Sequence, residues 1–195
     1  MHVDVADVAV AGRGRTKAGP EVQWRTYSLL LHDGTQGLED WKRVLWGASH
    51  RAVRVMQALR TDPAGARGFY EALLTQGVAA YNAGRPPFAD LEDALIAAGL
   101  APAYAAAADD AAWDEPIRRS MAEVSAVIGE GVGTPAMVLH RDPPVGVLGP
   151  LVSPPPTGPD AVTLWDAVAS FATVPGALEV SRPRPQRPHI PGLRS

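Results

Sequence analysis

Few residues in this 195-residue chain could do chemistry, and one class is absent, because it contains no cysteine. That excludes structural disulfides, thiolate zinc sites and dithiol exchange by its own residues, and leaves the compartment open. The five histidines, His2, His32, His50, His140 and His189, show no metal-ligand spacing such as HExxH. No metal is expected, and surface or capping roles are assigned to them. Ser28 and Ser49 lack the GxSxG elbow of hydrolases, and Gly12-Arg13-Gly14 lacks the second half of a nucleotide fingerprint. Asp109-Asp110 and Asp114-Glu115 flank a helix start, where acids favour the helix dipole. What remains is Val132-Gly133-Thr134-Pro135, which follows a helical pattern and runs straight into the apolar Ala136-Met137-Val138-Leu139. Residue types alone assign this stretch no chemistry, and an ordinary trans proline at a strand entrance would account for it.

The elements that must position this loop form a mixed pattern. A hydrophobic content of 46% supports one core, with room for an inserted subdomain. Net charge is -3, so no basic field attracts nucleic acid or an anionic membrane. No apolar run is long enough to span a bilayer, and Asp4 and Asp7 interrupt residues 1–11 where a signal peptide needs an apolar core. The expectation is a soluble, cytoplasmic protein with neither nucleic acid nor membrane as partner.

Residues 21–31 alternate and then turn continuously apolar, which predicts a strand entering a sheet interior and stopping at Asp33-Gly34. Leu38, Trp41, Leu45, Ala48, Ala52, Val55 and Leu59 recur at helical spacing up to Asp62-Pro63. Phe69, Leu73 and Ala80 mark a second helix, and Asp90 reads as the N-cap of a short third ending at Gly99. Ala105–Ala108 suits a small helix. Ile117, Met121, Val124 and Ile128 form a stripe closed by Gly129. Strands over 135–139 and 145–148, joined through Asp142-Pro143-Pro144, predict an antiparallel hairpin. Asp160 reads as N-cap of a last helix with Leu164, Trp165, Val168 and Phe171 on one face. The Pro/Arg-rich residues 181–195 have little to bury and are expected to be disordered. The tryptophans fall mostly on apolar stripes and are assigned to the core, with Trp41 and Trp46 as candidates to line a pocket.

Strand, helical block, hairpin and helix place the chain in the α/β class. In that order, the series Gly129-Glu130-Gly131-Val132-Gly133-Thr134-Pro135, Gly149-Pro150-Leu151-Val152, Leu164-Trp165-Asp166-Ala167 and Phe171-Ala172 resembles the carboxy-terminal half of actinobacterial DsbA-like proteins of the mycothiol-dependent nitroreductase group. The strand ending Trp24-Arg25-Thr26-Tyr27-Ser28-Leu29 is similar to that family's second strand. The resemblance implies a thioredoxin-like (DsbA-like) fold over residues 21–180 with a helical insertion at about 38–129, after an atypical segment 1–20 and before the tail. It also implies a thiol-dependent oxidoreductase that uses mycothiol, with a low-molecular-weight thiol or small electrophilic substrate as partner. Thr134 and Pro135 match the family's cis-proline loop, so the resemblance implies that Gly133, Thr134 and Pro135 are the thiol- or substrate-binding residues and that the Thr134–Pro135 bond is cis, a state that about 5% of X-Pro bonds adopt in folded proteins. The family's catalytic cysteine, which opens its first helix as a low-pKa thiolate, matches nothing here. His32 stands where relatives tend to have Asn. As written the chain is expected to be inactive and truncated, with its first strand and active-site helix missing or replaced. The alternatives are a non-catalytic thioredoxin-like binding module, or a glutathione-transferase-like binder with an activated hydroxyl.

The missing thiol has a possible origin in the reading frame. Met1-His2 must be encoded ATG-CAY, so the frame one base downstream opens with TGC, a cysteine codon. With GC-rich third positions it continues Thr-Trp-Thr-Trp-Arg-Thr-Ser-Arg-Trp-Leu, a string that resembles the family's first active-site helix. A one-base shift near Gly19-Pro20 would explain this. Loss of a central strand should leave the fold marginal, unless the alternating residues 3–10, VDVADVAV, substitute for it.

Overall fold

The computed structural model describes residues 6–16, 19–34, 36–130, 134–152 and 156–177. Its sheet is built by β1 (Ala6–Thr16), β2 (Gly19–Tyr27), β3 (Ala136–Leu139) and β4 (Val145–Leu148) in the order β2-β1-β3-β4. The segment before Glu21 thus supplies a central strand, as the alternation over 3–10 allowed. Only residues 17 and 18 separate β1 from β2. Parallel neighbours require a crossover of a dozen residues or more, so this connection forces β1 and β2 antiparallel. The register is Ala6 to Tyr27, Ala9 to Trp24 and Ala11 to Val22, with an irregularity between Ala11 and Arg15. On its other side β1 runs parallel to β3, with Val8 opposite Ala136 and Ala11 opposite Leu139. A first strand feeding a helix that crosses to β2 would have to run the opposite way.

Strand β3 is buried at all four residues, which explains its unbroken apolar run, since both faces are covered. Ala136 and Val138 pack with Tyr27 and with Val124 of α5 (Asp114–Ile128). Met137 and Leu139 pack on the opposite face against Trp165, Val168, Ala169 and Ala172, contributed by α6 (Gly158–Phe171) and the residue after it. β3 and β4 form the expected antiparallel hairpin. Asp160 lies in the first turn of α6, and Thr157 is the N-cap. Asp160 still favours the helix dipole from there.

Between β2 and β3 lies the helical block: α1 (Leu29–Asp33), α2 (Asp40–Ala58), α3 (Pro63–Asn82), α4 (Leu91–Ala97) and two 3₁₀ segments over Pro102–Asp109 and Ala111–Trp113. It has its own core around Val55, Leu59, Phe69, Leu73 and Leu95. Three sequence expectations fail here. Leu29–Leu31 do not extend the strand, because Ser28 accepts the Leu31 N–H at 3.3 Å and caps a helical turn instead. Strand β2 is an edge rather than an interior strand, and Trp24 and Trp41 are exposed rather than core. Residues 181–195, expected to be disordered, lie outside the described residues.

Gly146 on β4 sets how closely α5 can approach the sheet. A Cβ there would stand 2.7 Å from Ile128 Cγ1 and 3.3 Å from Ile128 Cα, so α5 approaches the sheet only because residue 146 has no side chain. Gly146→Val should destabilise the fold by about 1–3 kcal/mol, read as a lower urea midpoint. An Ile128→Ala background should recover part of the loss.

Candidate functional site

The register brings the functional elements to one end of the sheet. Tyr27 ends β2 opposite Ala6, Ala136 opens β3 opposite Val8, and Leu148 ends β4 opposite Ala136. The turns that follow β2 and β4 and precede β3 therefore meet there. The Thr134–Pro135 and Gly149–Pro150 peptide bonds are both cis. Gly149 donates its N–H to the Pro135 carbonyl at 2.9 Å, which ties the two turns together. Proline has no N–H to add to the ladder. The Thr134 hydroxyl is buried and has no hydrogen-bond partner among the described residues. Gly133, the third candidate, lies outside the described residues. His32 sits in α1 at the same end, its ring 5.6 Å from that of Tyr27 and its Nδ1 against the Asp33 carboxylate. Burial, reinforced by the Asp33 charge, raises the Tyr27 hydroxyl above the usual tyrosine range.

Behind this end lies a polar chain that the sequence reading missed. Ser28 Oγ is 2.8 Å from His50 Nδ1, and His50 Nε2 is 3.1 Å from Asp114 Oδ1. Arg54 clamps the same carboxylate through Nε at 2.7 Å and Nη2 at 2.9 Å, and gives Nη1 to the Ala108 carbonyl at 3.0 Å. Nearby, the Thr26 hydroxyl donates to Gln57 Oε1 at 2.6 Å. His50 is thus 5% exposed and networked, not a surface group. Its position on the buried stripe of α2, one residue from Ser49 and two from Ala52, was the available signal. Asp114 does more than favour the dipole of α5: it binds α5 to α2.

Arg54 holds the Asp114 carboxyl below the usual carboxylate range, against the opposing effect of partial burial. Burial lowers the His50 pKa, and the Arg54 charge adds to this against the pull of Asp114. His50 is therefore neutral, with the proton on Nε2 directed at Asp114 and Nδ1 accepting from Ser28. Ser28, His50 and Asp114 follow the order of a hydrolase triad. The Ser28 side chain, however, is 1% exposed and already accepts the Leu31 N–H. No substrate carbonyl reaches it, so the network is a clamp that fixes the end of β2 against the helical block.

Over residues 16–182 the chain matches the Rv2466c-like family, described as mycothiol-dependent nitroreductase Rv2466c. It belongs to that family. The match covers the sheet from the end of β1 onward, the helical block and the proline turns. Membership gives a nitroreductase-like oxidoreductase ancestry with a low-molecular-weight thiol as partner. Among the described residues no cluster of His, Asp and Glu could hold a metal ion, and no helix is long and apolar enough to cross a membrane.

The clamp has a signed pH dependence. His50 binds protons more weakly folded than unfolded, so its contribution is complete above the unfolded pKa of about 6.5 and is lost as pH falls through its lower folded value. Asp114 adds a second loss in the same direction, below the ordinary carboxylate range. Urea midpoints should therefore fall as pH drops below about 6.5. In His50→Gln the first part of that slope should vanish. Asp114→Ala strands Arg54 and should cost about 3 kcal/mol or more at pH 7.

Proposed function

We propose that this chain is a DsbA-like, thioredoxin-fold member of the family that retains the loop for holding mycothiol and lacks the group that exchanges with it. The supporting observation is the Thr134 hydroxyl, buried beside the cis Thr134–Pro135 bond with no partner among the described residues. An unpaired buried hydroxyl costs about 1–3 kcal/mol, and a ligand recovers that cost if the loop turns the Thr134 hydroxyl outward to bond it on binding. Gly133, Thr134 and Pro135 form the proposed binding loop, with the small electrophilic substrate facing the same end of the sheet. Mycothiol, when bound, supplies a reducing thiol. Exchange with that thiol requires a protein thiolate, and the chain has no cysteine. Ser28 does not replace it, being sealed inside the clamp.

As written, the chain is on this reading a non-catalytic binding module, acting in the cytoplasm where small thiols are kept reduced. Oxidoreductase activity belongs to a version that carries the downstream-frame peptide, with its cysteine, in place of residues 1–19. The glutathione-transferase-like reading needs an activated hydroxyl in the open site; among the described residues the Thr134 hydroxyl has no base bonded to it, and the Ser28 hydroxyl, although bonded to His50, is sealed from solvent.

Calorimetric titration of the purified chain with mycothiol should show binding, while a nitroaromatic substrate should remain unreduced. Thr134→Val keeps the shape and removes the hydroxyl, so affinity should fall roughly three- to tenfold, the worth of one hydrogen bond. Unfolding stability should hold or rise. Turnover by the chain as written, or unchanged binding by Thr134→Val, would overturn the reading.

A further inference from the structure

Among the described residues strand β2 is a sheet edge, paired with β1 on one side only. Its far end is blocked, because Thr26 is 8% exposed and bonded to Gln57 of α2. Residues 22–24 are exposed. One face of this stretch is covered: Arg25 reaches Glu123 of α5 at 3.1 Å. The other face is bare. The register runs from Met137 through Ala9 to Trp24, and from Leu139 through Ala11 to Val22. α6 covers Met137 and Leu139, yet Trp24 and Val22 in the same rows are 46% and 39% exposed. An unpaired edge beside exposed apolar residues is a template for another strand.

The sequence of the edge indicates which strand. Glu21-Val22-Gln23-Trp24-Arg25 is its own complement in antiparallel pairing about a twofold axis at Gln23. Position 21, an acid, then falls opposite Arg25 of the second copy, and Arg25 opposite its acid. Val22 faces Trp24 of the second copy, and Trp24 faces its Val22. Opposite charges and aromatic with β-branched pairs are the combinations that stabilise cross-strand neighbours. A twofold axis makes every such pair occur twice. We propose that β2 is a self-association edge, through which two copies of this chain join their sheets antiparallel about Gln23.

The absence of cysteine makes the test clean. Residues directly opposite in an antiparallel pair have Cα atoms about 4.5–5.5 Å apart, within the range of about 4.4–6.8 Å that a disulfide spans. Gln23→Cys should therefore form a covalent dimer under mild oxidation, at least tenfold faster than Thr75→Cys on the exposed face of α3. Sedimentation equilibrium of the unmodified chain should show a dimer. Glu21→Arg should raise its dissociation constant severalfold, because like charges then face each other twice. A monomer by sedimentation, or cross-linking at position 23 no faster than at position 75, would overturn the proposal, and binding of an unrelated strand instead would do so equally. Circular dichroism of each variant identifies one that has failed to fold, and the unmodified chain then decides.

Discussion

A two-residue connection governs this molecule. Residues 17 and 18 join β1 to β2, and so short a link permits only an antiparallel pair. From that constraint follow the central place of β1, its parallel alignment with β3, and the meeting of the β2, β3 and β4 turns at one end. β1 supplies the ladder that β3 needs if its four buried residues are to have no unpaired backbone. The same constraint leaves no crossover helix between β1 and β2.

The loop side of the site is supported independently of that end of the chain. Thr134–Pro135 is held by Gly149 through the Pro135 carbonyl, and the strand it opens is packed on both faces by α5 and α6. The end of β2 is fixed from the other side by the Ser28, His50, Asp114 and Arg54 clamp. Two supports thus fix this end of the sheet, and neither uses a cysteine.

Much of this was legible in the residues. Ile117 and Val124 on one helical stripe, the unbroken Ala136–Leu139 and the hairpin around Pro143 each have one physical solution, and the structure adopts it. The Thr134–Pro135 loop was found through its order with Gly149-Pro150 and Leu164-Trp165, and its bond is cis as expected. Other features depend on partners distant in sequence. Leu29–Leu31 read as strand until Ser28 is seen to cap them. His50 and Asp114, 64 positions apart, carry no motif, so only the packing of α2 against α5 shows that they meet. Trp24 and Trp41 belong to apolar patterns yet remain exposed, because periodicity indicates a face but not whether another element covers it.

The central claim is the direction of β1, and backbone nuclear Overhauser effects test it most directly. An antiparallel β1–β2 ladder with Ala9 opposite Trp24, together with a parallel ladder with Ala9 opposite Met137, is the result this account requires. A parallel β1–β2 ladder, or no cross-strand contacts from residues 6–11, would contradict it.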